Sequence, residues 1–177
     1  RVEERARSIR VKTPYQVAEV VPCVQFRKYQ TYQYDFDSDY VSGIASYVPD
    51  RSRWSVSFPK QHRANGIVKD SRTSGRFKET VRMLKGACRH MNDRGRFDLR
   101  AAPSYFLECL VYNLPDYGFA ERRQDAFLNV LGAVVSGSLD RFVCQDEQRP
   151  LFGYTPEQWS ALGALNLAGK LLDLWGD

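Results

Sequence analysis

Four cations, Lys78, Arg82, Lys85 and Arg89, recur at spacings of four, three and four, which places them on one ridge of a helix. Like charges at that spacing repel one another unless something anionic sits beside them. Further along, Pro103-Ser104-Tyr105 leads into the apolar run FLECLVYNL. A hydroxyl at a helix start, next to backbone N–H groups with no acceptor inside the helix, suits a phosphate oxygen. Together the ridge and the serine form a grip for a polyphosphate. Taken singly they also read as a solvated helix face, an ordinary cap at Ser104 and a core aromatic at Tyr105.

The elements that would position these groups follow from periodicity. Phe77, Val81, Leu84, Cys88 and Met91 stand four, three, four and three apart, so the spacing predicts a helix over residues 76–91 with its apolar stripe beside the cationic ridge. The second helix, from Ser104 to its stop at Pro115, is apolar nearly all round and is expected to be buried. Glu108 stands alone on it, and an arginine is its expected partner. A third amphipathic helix covers residues 121–135, with Phe127, Val130, Leu131, Val134 and Val135 in phase. A fourth opens at Thr155-Pro156-Glu157-Gln158, a threonine cap with proline next and glutamine three on, and is expected to carry Trp159, Leu162, Leu165 and Leu172 into the core.

Before residue 59 the pattern changes. Residues 1–7 read as frayed or helical. Residues 8–12 alternate as a strand, and Thr13-Pro14 turns the chain into a second strand over residues 16–26. In that strand Val17, Glu19 and Val21 share one face and Ala18 and Val20 the other, which sets Glu19 among apolar side chains, a costly place unless it is paired or binds metal. From spacing alone, pairing with Arg10 or Arg27 is favoured. Strands are expected at residues 40–47 and 53–58 around Pro49-Asp50, then a long polar, basic connection from Pro59 to Ser74. Asp35, Asp37 and Asp39 alternate in a tyrosine-rich stretch that reads as an exposed hairpin tip more readily than a metal site. Strands early and helices late give an α+β chain, divided at residues 1–58 and 59–177.

Composition bounds the partners. The chain has 177 residues, 43% hydrophobic and 27% charged, enough for one domain or a little more. No apolar run approaches the ~20 residues of a membrane span, and no signal-peptide pattern opens the sequence. Cys23, Cys88, Cys109 and Cys144 have no close pairing and read as reduced core thiols of a cytoplasmic protein. With two histidines, His62 and His90, histidine catalysis has little material. The net charge is +5, but residues 60–89 carry nine Lys/Arg against Asp70 and Glu79, a local +7 on a remainder of −2. That asymmetry points to a phosphate-bearing partner.

The runs AEVVPC, W-x-V-x-F-P-K-Q-H at residues 54–62, TSGRFKETVRMLK, APSYFLECLVYNLPD and LFGYTPEQW resemble the second half of the CD-NTases. These are bacterial cyclic-oligonucleotide synthases similar to cyclic GMP-AMP synthase and oligoadenylate synthase. The resemblance runs from about Ile9 to Trp175. It implies part of a polymerase-beta-like nucleotidyltransferase sheet followed by a helical domain, which together bind nucleotides. It also implies Mg2+ (or Mn2+) held by three carboxylates, two from a D-x-D strand after a Gly-Ser motif and a third at the position of Glu19, where the family usually has aspartate. Nothing before Ile9 resembles the Gly-Ser helix or the D-x-D strand, so a truncated or processed form is expected, and Glu19 alone cannot supply a magnesium site. The triphosphate contacts carry over to Lys85 and Ser104, base stacking to Tyr105, and a weaker phosphate contact to Arg82.

The expected function is a nucleotidyltransferase making a cyclic (or linear) oligonucleotide second messenger from ATP, GTP or other NTPs in antiphage signalling. This chain would supply the triphosphate-binding half, with an activator of nucleic acid or protein and no membrane. The alternatives are a non-catalytic nucleic-acid- or nucleotide-binding module, or a pseudo-enzyme regulator.

Overall fold

The computed structural model describes residues 2–4, 8–31, 39–119 and 121–176. Asp35 and Asp37 of the alternating acidic run, and residues 5–7 of the charged start, lie outside them. The chain forms two compact units, residues 1–60 and 61–177. Strands lie in the first and helices fill the second, the α+β class that the sequence implies.

The first unit holds two antiparallel three-stranded sheets. One is β1 (Val2–Glu4), β2 (Ile9–Lys12) and β3 (Val17–Val20) in that order. Residues 2–4 are therefore a strand, not a frayed or helical start. They pair across the ladder, Glu3 opposite Arg10, a contact that a reading of local pattern does not see. Thr13 closes the β2–β3 turn: its N–H and its hydroxyl both donate to Gln16 O, at 2.9 and 3.0 Å, and Gln16 N–H donates to its Oγ1 at 3.0 Å.

The second sheet orders β4 (Val24–Tyr29), β5 (Tyr40–Val48) and β6 (Arg53–Ser57). The single strand expected over residues 16–26 is thus two strands in different sheets. They break at Val21-Pro22-Cys23, where proline has no N–H to give a ladder. Gly43 of β5 is required: a Cβ there would lie 2.8 Å from Ser57 O and 2.9 Å from the Phe58 ring. Phe58 in turn meets Phe26 edge-on at 6.1 Å.

Helix α1 (Pro59–Arg72) replaces the connection expected from Pro59 to Ser74. Proline at its first position fixes φ for a helix, and Lys, Gln and Arg follow as good helix formers. No apolar stripe announces it, because its inner face is Gly66 and Lys69, with Ile67 and Val68 exposed. Lys69 Nζ donates to Leu114 O at 2.7 Å and pairs with Asp116 at 2.9 Å. Ser74 and Gly75, both at positive φ, turn the chain into α2 (Arg76–Asp93).

Helix α2 buries Phe77, Val81, Leu84, Cys88 and Met91, the stripe its spacing predicts. Around it pack α3 (Ser104–Tyr112), α4 (Arg123–Ser136) and α5 (Ala161–Gly176) in one continuous core. The last helix starts later and turns a different face inward than expected. Gln158 Oε1 accepts from Thr155 N–H and from its hydroxyl, as in a capping box. However, Gly153 N–H donates to Trp159 O and Trp159 N–H to Leu151 O, which ties this stretch into a turn. Helix α5 then buries Ala164, Leu167, Ala168 and Leu171, and leaves Leu162, Leu165 and Leu172 exposed at 75%, 39% and 42%. With leucine on both faces, the two alanines decide which one packs closely.

Candidate nucleotide-binding site

The cationic ridge of α2 divides into paired and unpaired members. Lys78 Nζ lies 3.1 Å from Asp70, and Lys85 Nζ 2.5 Å from Glu108. Arg82 and Arg89 are exposed with no ion pair among the described residues. The repulsion that four like charges would generate is therefore half compensated inside the protein.

Lys85 borders two openings. A recess of about 110 Å³ is lined by Lys85, Arg89, Ser104, Leu99 and Leu107. A larger cavity of about 480 Å³ meets Lys85 from its other side and is walled by His62, Arg63, Arg82, Glu108 and Gln145, with Phe77 and Val81 as its apolar part. Ser104 is the first helical residue of α3 rather than its cap. Pro103 holds the cap position without a side-chain bond, and the first N–H to return to it is that of Leu107, at 3.2 Å. Ser104 thus brings a hydroxyl to a helix end whose backbone donors are open to an anion.

Glu108 is the centre of a short chain of contacts. His62 Nε2 lies 2.8 Å from one carboxylate oxygen and Lys85 Nζ 2.5 Å from the other. The carboxylate only accepts, so Nε2 carries the hydrogen. The His62 hydrogen bond, reinforced by Lys85, holds the Glu108 carboxyl at about 2, against the upward push of burial. The partners are a histidine and a lysine, not the arginine expected from sequence. Sequence pattern does not single out His62, because its helix lacks an apolar stripe, although the proline of P-K-Q-H marks a helix start.

Tyr105 is built into the protein. Its ring stacks on His62 at 4.8 Å and on Trp159 at 5.6 Å, and its hydroxyl donates to buried Asp146 at 2.8 Å. Burial first, and then the neighbouring charges, push that hydroxyl's pKa up, so it stays a donor. The expected base-stacking surface is engaged by protein rings here. Gln145 completes the frame, donating from Nε2 to His62 O at 2.6 Å, while Asn65 donates to Gln145 O at 2.8 Å.

Glu19 stands in the other unit. It is exposed on a wholly exposed strand, and Arg10, directly opposite it in the ladder, donates to Oε1 at 2.7 and 3.1 Å. The apolar setting expected for it is absent, because the cross-strand neighbour, not the same strand, decides its surroundings. Among the described residues no group of three or more His, Cys, Asp or Glu could hold a metal ion. One arginine-bound carboxylate does not fill an octahedral oxygen shell, so these residues alone do not fit Mg2+ or Mn2+.

Three thiols behave as expected: Cys88, Cys109 and Cys144 are buried, and burial raises Cys88 to about 11. Cys23 is exposed, contrary to expectation, because it follows Pro22 between the two sheets. No helix among the described residues is long and apolar enough to cross a membrane.

The chain runs from a strand-rich unit into a helical unit that carries a lysine and a helix-start serine on one recess. The cGAS/DncV-like nucleotidyltransferase C-terminal helical domain matches residues 64–176, and the chain belongs to that family, the CD-NTases. It is 41% identical over 176 residues to the cyclic UMP-AMP synthase of Rhodothermus marinus, covering 99% of this chain and 60% of that protein. It is similar to the solved structure of Rhodothermus marinus CdnE c-UMP-AMP synthase with Apcpp and Upnpp, at 40% identity and a TM-score of 0.91, covering 99% of this chain and 59% of that one. It is also similar to Elizabethkingia meningoseptica CdnE cyclic dinucleotide synthase with GTP and Apcpp, at 27% identity and a TM-score of 0.85, covering 99% of this chain and 65% of that one. The chain spans about 60% of the length of the first of these relatives.

Proposed function

We propose that this chain supplies the triphosphate-binding half of a nucleotidyltransferase that joins NTPs into a cyclic (or linear) oligonucleotide second messenger in antiphage signalling. The observation that carries the reading is that Lys85 and Ser104 line one recess at the start of α3. Lys85 supplies a point charge and Ser104 a hydroxyl with free backbone donors beside it, a combination suited to the terminal phosphates of an NTP. Arg89 lines the same recess, and Arg82 adds charge in the neighbouring cavity that Lys85 also borders. Tyr105 fixes the start of α3 and meets a base only if its stack with His62 or Trp159 opens.

Residues 1–58 belong, on this reading, to the nucleotidyltransferase sheet and residues 59–177 to the nucleotide-binding domain. Toward Mg2+ (or Mn2+), Glu19 is proposed to give one carboxylate at most, and the rest of the shell would have to come from other groups. ATP, GTP and UTP are the substrate candidates, supported by the Apcpp, Upnpp and GTP in the names of the solved relatives. The proposed compartment is the cytoplasm, where NTPs are at hand.

The test is calorimetric titration of the chain with ATP, GTP and UTP in Mg2+. Lys85→Ala and Ser104→Ala together are expected to weaken binding about tenfold or more, the scale of hydrogen bonds to charged groups. Affinity that survives both changes overturns the reading. A second reading, a nucleic-acid-binding module, draws on Arg63, Arg82 and Arg89, exposed and without an ion pair among the described residues. Steeply salt-dependent RNA or DNA binding with no preference for triphosphates would favour it.

A further inference from the structure

We propose that His62 is a positioning residue that lets Lys85 leave Glu108 for a triphosphate. The inference rests on the reading above, in which Lys85 grips that triphosphate.

Lys85 is not idle in the structure. Its ammonium group sits 2.5 Å from Glu108, and a carboxyl held at about 2 is ionised at every working pH. An incoming triphosphate therefore meets a lysine already bound to a permanent anion. Drawing Nζ wholly toward phosphate would strand Glu108, whose side chain is only 29% exposed, and an unpartnered carboxylate in that position is costly.

His62 removes the obstacle. It holds the second Glu108 oxygen at 2.8 Å, so the carboxylate keeps a donor when Lys85 departs. The ring cannot drift, because it stacks on Tyr105 at 4.8 Å and its backbone carbonyl accepts from buried Gln145. Lys85 borders both the recess that contains Ser104 and the cavity that contains His62, so it can exchange one anion for the other by a side-chain movement alone. His62 touches no phosphate in this account. It acts through Glu108, and its effect must therefore vanish when Glu108 carries no charge.

That dependence is the test. The 177-residue chain is titrated calorimetrically with sodium tripolyphosphate at low ionic strength. The variants are His62→Phe, which keeps an aromatic ring against Tyr105 but cannot donate, Glu108→Gln, and the two combined. His62→Phe is expected to weaken affinity about fivefold, at the low end of coupling between linked sites. Glu108→Gln is expected to tighten it by about the same factor. In the Glu108→Gln background, His62→Phe should change affinity by less than about twofold. His62→Gln, whose amide can still donate to Glu108, should recover affinity to within about twofold of wild type.

Circular dichroism checks that each variant folds, and His62→Leu, which also lacks a donor, serves in place of His62→Phe if that chain does not. Equal losses from the His62 change in both backgrounds overturn the proposal and leave His62 a packing residue, as does no loss in either. Lys85→Ala separates the two levels. Unchanged tripolyphosphate affinity in that variant overturns the Lys85 grip itself. Lost affinity there, together with a His62 effect independent of Glu108, overturns only the positioning role.

Discussion

Two glutamates, one in each unit, show how the same ion-pair chemistry takes on different work. Glu19 lies in a ladder of small strands, opposite Arg10, with its side chain 47% exposed. Glu108 lies on a core helix, bridged to His62 and Lys85 from two other helices, with its side chain 29% exposed. The Glu19 pair is local, made by adjacent strands and open to water, and pairs of that kind contribute about 0–1 kcal/mol. The Glu108 cluster joins residues 46 and 23 positions apart and is assembled only once the helices pack. The Glu108 carboxylate is less exposed than that of Glu19 and is tied across three helices, and that separates a site from a surface pair.

The comparison breaks most completely if the packing is removed. Leu84 is fully buried beneath the ridge, and Leu84→Ala should cost the helical unit about 2–5 kcal/mol in denaturant unfolding. The strand ladder should be unaffected by circular dichroism of its β signal if it stands on its own pairing.

A smaller effect sharpens the contrast through pH. A group whose folded pKa is depressed stabilises the fold above its unfolded pKa, and the benefit is lost as pH falls through the folded value. For Glu108 that loss should run from near the ordinary glutamate value, 4.5, down to about 2. Glu108→Gln should flatten this part of the acid-unfolding profile of the helical unit, followed by tryptophan fluorescence. An unchanged profile would mean that the cluster is no better shielded than the strand pair. The smallest effect belongs to Glu19→Ala, expected at under about 1 kcal/mol and shrinking further in high salt. A larger, salt-insensitive loss would show that the ladder is less open to water than its exposure indicates.

What the sequence disclosed follows the reach of each interaction. Helix α2 and its buried face were legible because Phe77, Val81, Leu84, Cys88 and Met91 repeat the helical period. The start of α3 was legible because Ser104 follows a proline and opens an apolar run. Helix α1 was not, since glycine and lysine hold it in place of a stripe. The partners of Glu108 were hidden because they come from distant helices, one of them unread. The apolar pattern over residues 16–26 suggests one strand, but the missing N–H of Pro22 outweighs it and two strands form. For α5, hydrophobicity named the helix but not its inner face, because leucine occupies both.

Helix α1 also fixes the site in a mechanical sense. Gly66 faces the Gln145 amide so closely that a Cβ would sit 2.5 Å from Nε2, and one turn on Lys69 is fastened to Leu114 and Asp116. Two fastenings on one face of a rod remove both its freedom to slide and its freedom to rotate. His62 lies one turn before Gly66 on that same face, so its ring inherits an alignment set elsewhere along the rod. A methyl group added at Gly66 would press first on the end of the Gln145 side chain, and so on the hydrogen bond by which that amide holds the His62 carbonyl.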